Sequence, residues 1–390
     1  MAAELVLTMA AADSIRHGHP WVWSKGIARG ANGLASGAEV TLRTTTGDVV
    51  GRGIYEPGSP IAVRVWRADD GPIDLAHVRG ALTHAFSLRA KLFPGGETTA
   101  YRLLHGEGDR VPGVVIDRYE HVAIVRLDGD AAEVTARRLQ SAFVSELQRL
   151  GVRDVALRRS PKGATPTFEV WAGNEPPATI LVKEHGVPFV VDLRRGQKTG
   201  AFLDQRDNRR RVGAMARGKR VLNLFSYAGG FSLHAAIGGA THVTSVDIAT
   251  LAHGTAQASF RAAGVDPRAH EFASADVFAF LERAKEKGET WDLVVSDPPS
   301  FAPNEKSLPR ALTAYRSLHR AAATVLAEGG TFCAASCSSH VDAEAFLGTL
   351  DDASIAPRRL SLLEHHGPPP DHPTLAGWPE GRYLKFAVLA

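Results

Sequence analysis

Two side chains that could carry out covalent chemistry follow predicted strands in the second half of the 390-residue sequence. Asp297 opens an Asp-Pro-Pro triplet directly after the apolar run from Trp291 to Val295, and the prolines fix the direction in which the chain leaves that strand. Cys337 lies in a Ser-Cys-Ser-Ser-His segment directly after a second predicted strand, Thr331 to Ala335. Ligands of open α/β sheets bind outside the carboxyl ends of the strands, so we expect both side chains at one site. A Pro-Pro loop without a function is the alternative at Asp297.

The stretch from Lys219 to Ile248 has the pattern of a strand–turn–helix–strand unit, whose crossover makes the two strands parallel. Its four parts are, in order, Val221 to Phe225, a turn with Gly229 and Gly230, Phe231 to about Ile237, and Val243 to Val246. Glycines at such a turn let backbone amides approach a ligand, and Asp247 after the second strand can accept hydrogen bonds from a ribose diol. The unit therefore predicts a site for a cofactor that contains adenosine.

The turn also indicates which adenosine cofactor is bound. The dinucleotide fingerprint G-x-G-x-x-G places its third glycine at a helix that faces a pyrophosphate. In this sequence Phe225 and Tyr227 fill the first two glycine positions, and only Gly229 and Gly230 remain. The pattern therefore disfavours a nicotinamide dehydrogenase and suits a cofactor without phosphate, such as S-adenosylmethionine. On the glycines alone, a purely structural turn is an equally good interpretation.

The chain resembles class I S-adenosylmethionine-dependent methyltransferases in five motifs: VLNLFSYAGGFS, VDI, SADVF, DPPSF and SCSSH. More narrowly, it resembles the RlmI-type large-subunit rRNA (cytosine-5) methyltransferases, also in GHPWVW, RLLHGEGDRVPGVVIDRY, KTGAFLDQRDNR, PDHPTL and PEGRYLKF. The resemblance covers nearly the whole length. It implies a multidomain α/β fold in three parts: a small β-rich PUA pseudo-barrel that binds RNA (residues 1–72), an α+β middle domain (73–188) and a C-terminal Rossmann-like class I methyltransferase domain (189–390).

The resemblance implies a set of residues that bind S-adenosylmethionine at the strand ends. They are Phe225, Tyr227, Gly229, Gly230, Asp247, Ile248, Asp276, Val277 and Asp297, with Gln205 and Arg206 from the segment that covers the cofactor. Asp276 would bind the adenine amino group, although it could also cap the helix predicted from Val277 to Lys285. Substrate contacts are implied for Pro298, Phe301, Lys198 and Trp21. For Trp21, packing in the core of a small barrel is the main alternative.

The implied reaction is methylation of cytosine carbon 5, an atom that is too weak a nucleophile to attack a sulfonium methyl group unaided. A thiolate that adds at carbon 6 activates it, so the site must supply a cysteine and a carboxyl group near ring nitrogen 3. Cys337, in a polar loop, fits the thiolate and Asp297 the carboxyl. Cys333 lies inside an apolar strand and is predicted to be an inert core residue. The group that takes the carbon 5 proton is left open between Asp297, His340 and water.

Contacts to RNA are expected from aromatic and basic side chains. The target carbon lies inside the base stack, so the base must flip out or belong to an unpaired segment. Phe301 and Tyr315 are candidate stacking surfaces, with core packing as the alternative for Tyr315.

The net charge of +3 permits nucleic-acid binding without establishing it. Two basic clusters either contact phosphate oxygens or form solvated helix faces: Arg206, Arg209, Arg210 and Arg211, and Arg153, Arg158, Arg159 and Lys162.

Two other functions fit the same residues. Methylation of a ring or exocyclic nitrogen would use Asp297 of the Asp-Pro-Pro-aromatic motif and would leave Cys337 without a role. A non-catalytic RNA-binding protein in ribosome assembly belongs to a different class, and the presence of Gly229, Asp247, Asp297 and Cys337 argues against it.

The amino-acid composition limits the cellular compartment and the binding partners that are expected for the protein. Contents of 44% hydrophobic and 22% charged residues are typical of a soluble globular protein. The apolar runs are shorter than the roughly 18 residues that a membrane span needs, and none resembles a secretion signal at the N-terminus. Two cysteines without a four-ligand spacing predict neither a structural disulfide nor a metal site and fit a reducing cytoplasm. The expected partner is 23S rRNA or a ribosomal precursor, with no membrane partner; a homodimer, as in relatives of this type, is an open alternative.

Overall fold

The computed structural model of the chain describes residues 3–161, 165–302 and 304–390. These residues form two compact units, each assembled from separate stretches of chain. Unit 1 consists of Met1–Ala178, Leu193–Ala201 and Pro370–Gly381. Unit 2 consists of Thr179–Asp192, Phe202–Pro369 and Arg382–Ala390.

The first sheet of unit 1 has six short strands around a small apolar core. The strands are β1 (Ala3–Leu7), β2 (Trp21–Trp23), β3 (Ile27–Arg29), β4 (Glu39–Arg43), β5 (Val49–Tyr55) and β6 (Ile61–Arg67). Their order in the sheet is β2-β6-β5-β4-β1-β3, and all neighbours are antiparallel except β1 and β4. Val40, Leu42 and Val63 are among its buried core residues. A small β-rich domain in this part of the chain is what the resemblance implies.

One helix interrupts this sheet domain, where the sequence pattern predicted only strands and turns. Helix α1 (Met9–Arg16) begins after Thr8, whose hydroxyl accepts a hydrogen bond of 3.3 Å from the backbone amide of Ala11. Consecutive alanines favour a helix, and a threonine cap satisfies one of the amides that a helix start leaves unpaired. The segment is short, so the alternating strand pattern on either side masked it.

The second sheet of unit 1 packs against two long helices. Its strands are β7 (Ala100–His105), β8 (Val114–Tyr119), β9 (Val122–Leu127), β10 (Asp154–Arg159) and β11 (Thr167–Ala172), and its helices are α2 (Leu75–Leu92) and α3 (Asp130–Arg149). The order is β11-β10-β9-β8-β7. Val78, Leu82 and Phe86 of α2 are all buried in the core beneath it. This part of unit 1 thus has the α+β composition that the resemblance implies for the middle region.

Unit 2 contains a hairpin and a seven-stranded sheet. The hairpin is formed by β12 (Thr179–Glu184) and β13 (Val187–Asp192). The sheet strands are β14 (Arg220–Leu224), β15 (His242–Asp247), β16 (Glu271–Ser274), β17 (Trp291–Ser296), β18 (Leu326–Ser336), β19 (Leu362–His366) and β20 (Lys385–Leu389). The helices are α4 (Arg206–Met215), α5 (Gly230–Ile237), α6 (Thr250–Ala262), α7 (Val277–Glu286), α8 (Leu308–Thr324) and α9 (Ala343–Leu347).

The strand order of this sheet, β16-β15-β14-β17-β18-β20-β19, is that of a doubly wound α/β domain. The first five strands are parallel, whereas β20 runs antiparallel to both β18 and β19. Both faces are covered, because Leu222 and Leu224 of β14 belong to one core cluster and Val221 to another. The direction of winding reverses between β14 and β17, and ligands bind at the carboxyl ends beside such a point. The predicted Rossmann-like fold is confirmed.

The predicted domain boundaries at 72 and 188 stay a prediction. The stretches Leu193–Ala201 and Pro370–Gly381, which the sequence placed in the C-terminal domain, pack within unit 1. Ile54 and Trp66, from the first sheet, contribute to the core of the second. No helix in the described part of the chain is long and apolar enough to cross a membrane.

Candidate active site

The turn after β14 adopts a backbone that normally requires glycine. Phe225, Tyr227 and Gly229 have φ angles of +57°, +46° and +73°. For residues with a side chain this left-handed region costs roughly 1–2 kcal/mol each, and such strain is found mainly at binding and catalytic sites. Phe225 and Tyr227, which fill the first two glycine positions of the fingerprint, therefore keep its left-handed backbone.

Asp247, at the end of β15, holds this turn through its carboxylate. One oxygen accepts a hydrogen bond of 2.7 Å from the Tyr227 amide, and the other accepts one of 2.8 Å from the Ala249 amide. Each carboxylate oxygen has a second lone pair, so both can still accept a hydrogen bond from a ligand hydroxyl. Ile248, the next residue, is 76% exposed and offers apolar surface for a base. The predicted ribose-binding geometry is compatible with these contacts.

Asp276, after β16, caps helix α7. Its carboxylate accepts a hydrogen bond of 3.0 Å from the Ala279 amide, and the following residue, Val277, is buried. The end of β16 lies beside that of β15, because the Ala275 amide donates to the Asp247 carbonyl. The capping interpretation is thus confirmed, and one carboxylate oxygen is left for a ligand donor. Binding of adenine by Asp276 stays a prediction.

The segment before α4 lies against the turn. The rings of Phe202 and Tyr227 meet edge to face, with 5.4 Å between their centroids. Gln205 and Arg206, predicted to bind the cofactor, are both buried, and Gln205 accepts a hydrogen bond of 2.7 Å from the Asn208 amide group. Both side chains are thus packed inside unit 2, and binding of the cofactor by Gln205 and Arg206 stays a prediction.

A buried ion pair that the sequence analysis did not predict packs against the turn. Arg209 of α4 binds Glu184 of β12 through two hydrogen bonds, one of them 2.8 Å long. A β-carbon added at Gly230 would lie 2.7 Å from the Arg209 side chain, so glycine is needed there for close approach. Burial would raise the pKa of Glu184, but the charge of Arg209 and the contact with His234 lower it to about 2. Glu184 is therefore charged at neutral pH.

Glu184→Gln is expected to destabilise the protein by about 3 kcal/mol, because it leaves the buried Arg209 charge without its partner. The pKa of Glu184 is depressed from 4.5 to about 2, so its stabilisation is complete above about pH 4.5 and is lost as the pH falls towards 2. Urea unfolding at pH 7 and pH 3 measures both effects. The matched control is Glu175→Gln, which breaks an exposed pair with Arg194 and should change stability by less than about 0.5 kcal/mol. Equal effects of the two variants would contradict the prediction.

The two basic clusters do not form continuous solvated surfaces. Arg206 and Arg209 are buried, whereas Arg210 is exposed. In the second cluster Arg158 is buried and Arg159 lies between Glu133 and Glu169, which raise its pKa further. Lys162, also assigned to this cluster, lies outside the described residues. The alternative of a solvated helix face is therefore wrong for the buried and paired members, and contact with phosphate stays a prediction for the exposed ones.

The two predicted catalytic residues follow adjacent strands. β17 and β18 are parallel neighbours, with Ser296 opposite Ala334, so Asp297 and Cys337 both lie at the carboxyl edge. The Asp297 amide lies 3.5 Å from the Leu224 carbonyl, which places Asp297 beside the end of β14. The carboxylate thus lies at the point where the winding reverses, and the thiol lies one strand further along the same edge.

The loop that carries Cys337 is held on both sides. Ser336 accepts a hydrogen bond of 2.9 Å from the Tyr315 hydroxyl, and the Ser338 hydroxyl donates one of 3.2 Å to the Ala302 carbonyl. Both serines are buried, whereas Cys337 is half-buried. The flanking serines, read from the sequence as part of a polar loop, therefore fix the loop and leave the thiol between them partly accessible.

The charges of Asp297 and Cys337 both act on Tyr315. Burial raises the pKa of Tyr315 to about 12, the hydrogen bond with Ser336 lowers it, and the nearby charges of Cys337 and Asp297 raise it. Tyr315 is fully buried, with its ring 4.9 Å from that of Phe301, so it is a core residue and is not available to stack on a base. Phe301 is half-buried.

The second cysteine is inert, as predicted. Cys333 is fully buried in β18, and burial raises the pKa of its thiol to about 12. At neutral pH almost none of it is thiolate, the form that acts as a nucleophile.

The predicted substrate residues are divided between the units. Phe301 and Pro298 belong to unit 2, and Pro298 is buried. Lys198 and Trp21 belong to unit 1. The Trp21 indole donates a hydrogen bond of 2.8 Å to Glu107 and packs edge to face on Trp378, so most of this side chain is engaged within the unit. Contact of these four residues with a substrate stays a prediction.

The strand-end residues of unit 2 fit a cofactor that contains adenosine. The Asp247 carboxylate can accept hydrogen bonds from ribose hydroxyls and would repel a phosphate group attached to that ribose. The backbone of the turn, with its three positive φ angles, approaches closely enough for the Tyr227 amide to meet that carboxylate. S-Adenosylmethionine meets both requirements.

Comparisons with known proteins agree with this chemistry. A family of S-adenosylmethionine-dependent methyltransferases matches residues 151–382, and a PUA-like domain matches residues 5–67. Proteins named ribosomal RNA large subunit methyltransferase I, from Aliivibrio fischeri and Photobacterium profundum, are each 36% identical over 99% of this chain and 98% of their own length. Among solved structures, the methyltransferase SMU.776 complexed with SAH has a TM-score of 0.89 at 25% identity, covering 100% of both chains. A SAM-dependent methyltransferase from Streptococcus mutans has a TM-score of 0.87 at 23% identity, also over 100% of both chains.

Proposed function

Because the chain belongs to the family of S-adenosylmethionine-dependent methyltransferases that includes ribosomal RNA large subunit methyltransferase I, we propose that it methylates carbon 5 of a cytosine in large-subunit rRNA through a covalent adduct with Cys337. One observation carries the proposal. Of the chain's two cysteines, the half-buried Cys337 ends the strand next to that of Asp297, and the other is buried in the strand.

Cys337 supplies the nucleophile. Its thiolate adds to carbon 6 of the ring, which forms a sulfur–carbon bond and makes carbon 5 electron-rich. S-Adenosylmethionine, held at the turn after β14, supplies the electrophilic methyl group. Once carbon 5 has lost its proton to a base, the sulfur–carbon bond breaks, the ring double bond returns and Cys337 leaves as a thiolate.

Asp297 orients the base in this proposal. Its carboxyl group, fixed by the two prolines that follow, takes up a proton when the base binds and donates a hydrogen bond to ring nitrogen 3, which sets carbon 6 within reach of the thiol. Phe301, on the same loop and half-buried, is proposed to pack on the flipped cytosine. The support is that Asp297 and Cys337 follow adjacent parallel strands and that the charges of both act on Tyr315.

The RNA partner is proposed from the relatives and from the PUA-like domain. The relatives are named for the large ribosomal subunit RNA, and the matched residues 5–67 correspond to a fold that we propose binds RNA in this chain. The substrate is therefore 23S rRNA or a ribosomal precursor, which sets the reaction in the cytoplasm.

Release of tritium from carbon 5 tests the proposal directly. The protein is incubated with S-adenosylmethionine and rRNA that carries tritium at carbon 5 of its cytosines, isolated from a strain without the activity. Carbon 5 methylation releases one tritium to water for each methyl group transferred, and mass spectrometry of the nucleosides identifies 5-methylcytosine. Methylation without tritium release would contradict the proposal and indicate a nitrogen target. Running free 23S rRNA beside assembled large subunits distinguishes the two forms of substrate.

A further inference from the structure

A buried lysine lies beside the loop that carries Cys337. Lys385 opens β20 and is paired with Ser336 of β18, one residue before the cysteine. Its side chain is 2% exposed. The ammonium group donates hydrogen bonds to the carbonyl of Ser338, one residue after the cysteine, and to the carbonyl of Tyr383 at 2.8 Å. The amine is thus fixed at the base of the short loop between Ser336 and Ser338.

The surroundings of this amine are unusual for a buried cation. No carboxylate among the described residues forms an ion pair with Lys385, and both of its hydrogen-bond acceptors are neutral carbonyls. Burying a charge without an opposite charge is costly and is found mainly where the charge has a role. An ammonium has three N–H groups, so one donor remains after the two carbonyls are satisfied.

Among the negative groups that act on Lys385, the Cys337 thiolate is the one least screened by water. Burial lowers the pKa of Lys385 to about 8, and the negative charges of Cys337 and Asp342 act against this by raising it. Asp342 is exposed to solvent, so its charge is screened by water. On β19, His365 has a lowered pKa, owing to burial and to the charges of His366 and Lys385, and is mainly neutral. Asp297 follows the neighbouring strand at the same sheet edge, and a negative charge there disfavours a thiolate at Cys337.

We propose that the Lys385 ammonium stabilises the thiolate of Cys337 against the neighbouring Asp297 carboxylate and so keeps this cysteine reactive at neutral pH. The inference rests on the proposed function for its purpose. Lys385 is a positioning residue here: it acts through Cys337, forms no bond to the substrate and keeps its own proton, while the thiol proton passes to water. The same ammonium restores the charge balance when the thiolate leaves the methylated base.

Alkylation of Cys337 tests the proposal without RNA or cofactor. The full-length protein is treated with iodoacetamide between pH 5.5 and 10, and peptide mass spectrometry follows Cys337 separately from Cys333. In the wild type, the rate should show an inflection below the ordinary thiol pKa of about 8.5. Lys385→Met should lower the rate at pH 7 about tenfold, Lys385→Arg should retain most of it, and Lys287→Met, at an exposed lysine, should leave it unchanged.

Two results would overturn the proposal. One is an ordinary thiol inflection in the wild type, which decides the question even if Lys385→Met does not fold. The other is a folded Lys385→Met variant that alkylates at the wild-type rate, since a lysine that only ties the Ser338 and Tyr383 carbonyls would have this result. Failure of the tritium-release experiment, by contrast, would refute carbon 5 methylation and leave the alkylation profile as it is. The two experiments therefore separate the two proposals.

Discussion

Replacement of Cys337 by alanine is expected to lower the rate of methyl transfer to rRNA by at least about a thousandfold, because activation of carbon 5 by a thiolate that adds at carbon 6 has no substitute in the site. The thiol is half-buried and its neighbours Ser336 and Ser338 hold the loop through their own hydrogen bonds, so the variant should fold normally. Single-turnover transfer from methyl-labelled S-adenosylmethionine measures the loss. Calorimetry with the same cofactor should give an unchanged affinity, which separates loss of chemistry from loss of binding.

The matched control is Cys333→Ala. Cys333 is fully buried in β18, and its thiol pKa is raised to about 12, so removing the sulfur costs some packing but no nucleophile. Its transfer rate should stay within a few-fold of the wild type. Full activity of Cys337→Ala would assign the reaction to nitrogen methylation, with Asp297 as the central residue. An inactive but folded Cys333→Ala would show that the two cysteines had been assigned the wrong roles.

The residues that lie at strand ends could be predicted from the sequence, because each follows its strand directly. Asp247, Asp297 and Cys337 come immediately after β15, β17 and β18, and the carboxyl ends of parallel strands meet at one edge. Short apolar runs bounded by glycine or proline locate such strands without any tertiary information. The resemblance then supplied the roles that the pattern alone left open.

The supporting residues could not be predicted in this way, because their partners are distant in the sequence. Arg209 belonged to a cluster with the composition of a solvated helix face, and only packing against β12 shows that it is buried on Glu184. Lys385 is the first residue of an otherwise apolar strand. It belongs to the PEGRYLKF motif, which indicates the family but no role for the lysine. In the sequence, the one sign of a special role was a single lysine at the start of an apolar strand. Its importance depends on the pairing of β20 with β18, which no local pattern specifies.

The turn after β14 shows the limit of motif matching. Phe225 and Tyr227 are not glycines, so the sequence does not match the glycine fingerprint at these two positions. Both residues nevertheless adopt the left-handed backbone for which the fingerprint uses glycine. The strain of these two residues must be offset by contacts, and the hydrogen bond from the Tyr227 amide to Asp247 is one of them. Asp247 therefore has two tasks, to hold the turn and to accept hydrogen bonds from the ligand.

Asp247→Ala is accordingly expected to weaken binding of S-adenosylmethionine about a hundredfold. The change removes the acceptor for the ribose hydroxyls and leaves the Tyr227 and Ala249 amides without their partner, and hydrogen bonds to a charged group contribute about 1.5–3 kcal/mol each. Asp247→Asn retains one acceptor oxygen, so its loss should be intermediate.

Isothermal calorimetry with S-adenosylmethionine and with S-adenosylhomocysteine measures the affinity of each Asp247 variant. Asp266→Asn is the control, because the side chain of this exposed aspartate caps a turn before β16 and hydrogen-bonds only Arg268 among the described residues. Its affinity should equal that of the wild type. Both ligands should lose affinity equally at Asp247, since they share the ribose and differ only at the sulfur. A loss confined to S-adenosylmethionine, or an unchanged affinity of Asp247→Ala, would place the ribose elsewhere and leave Asp247 with its structural task alone.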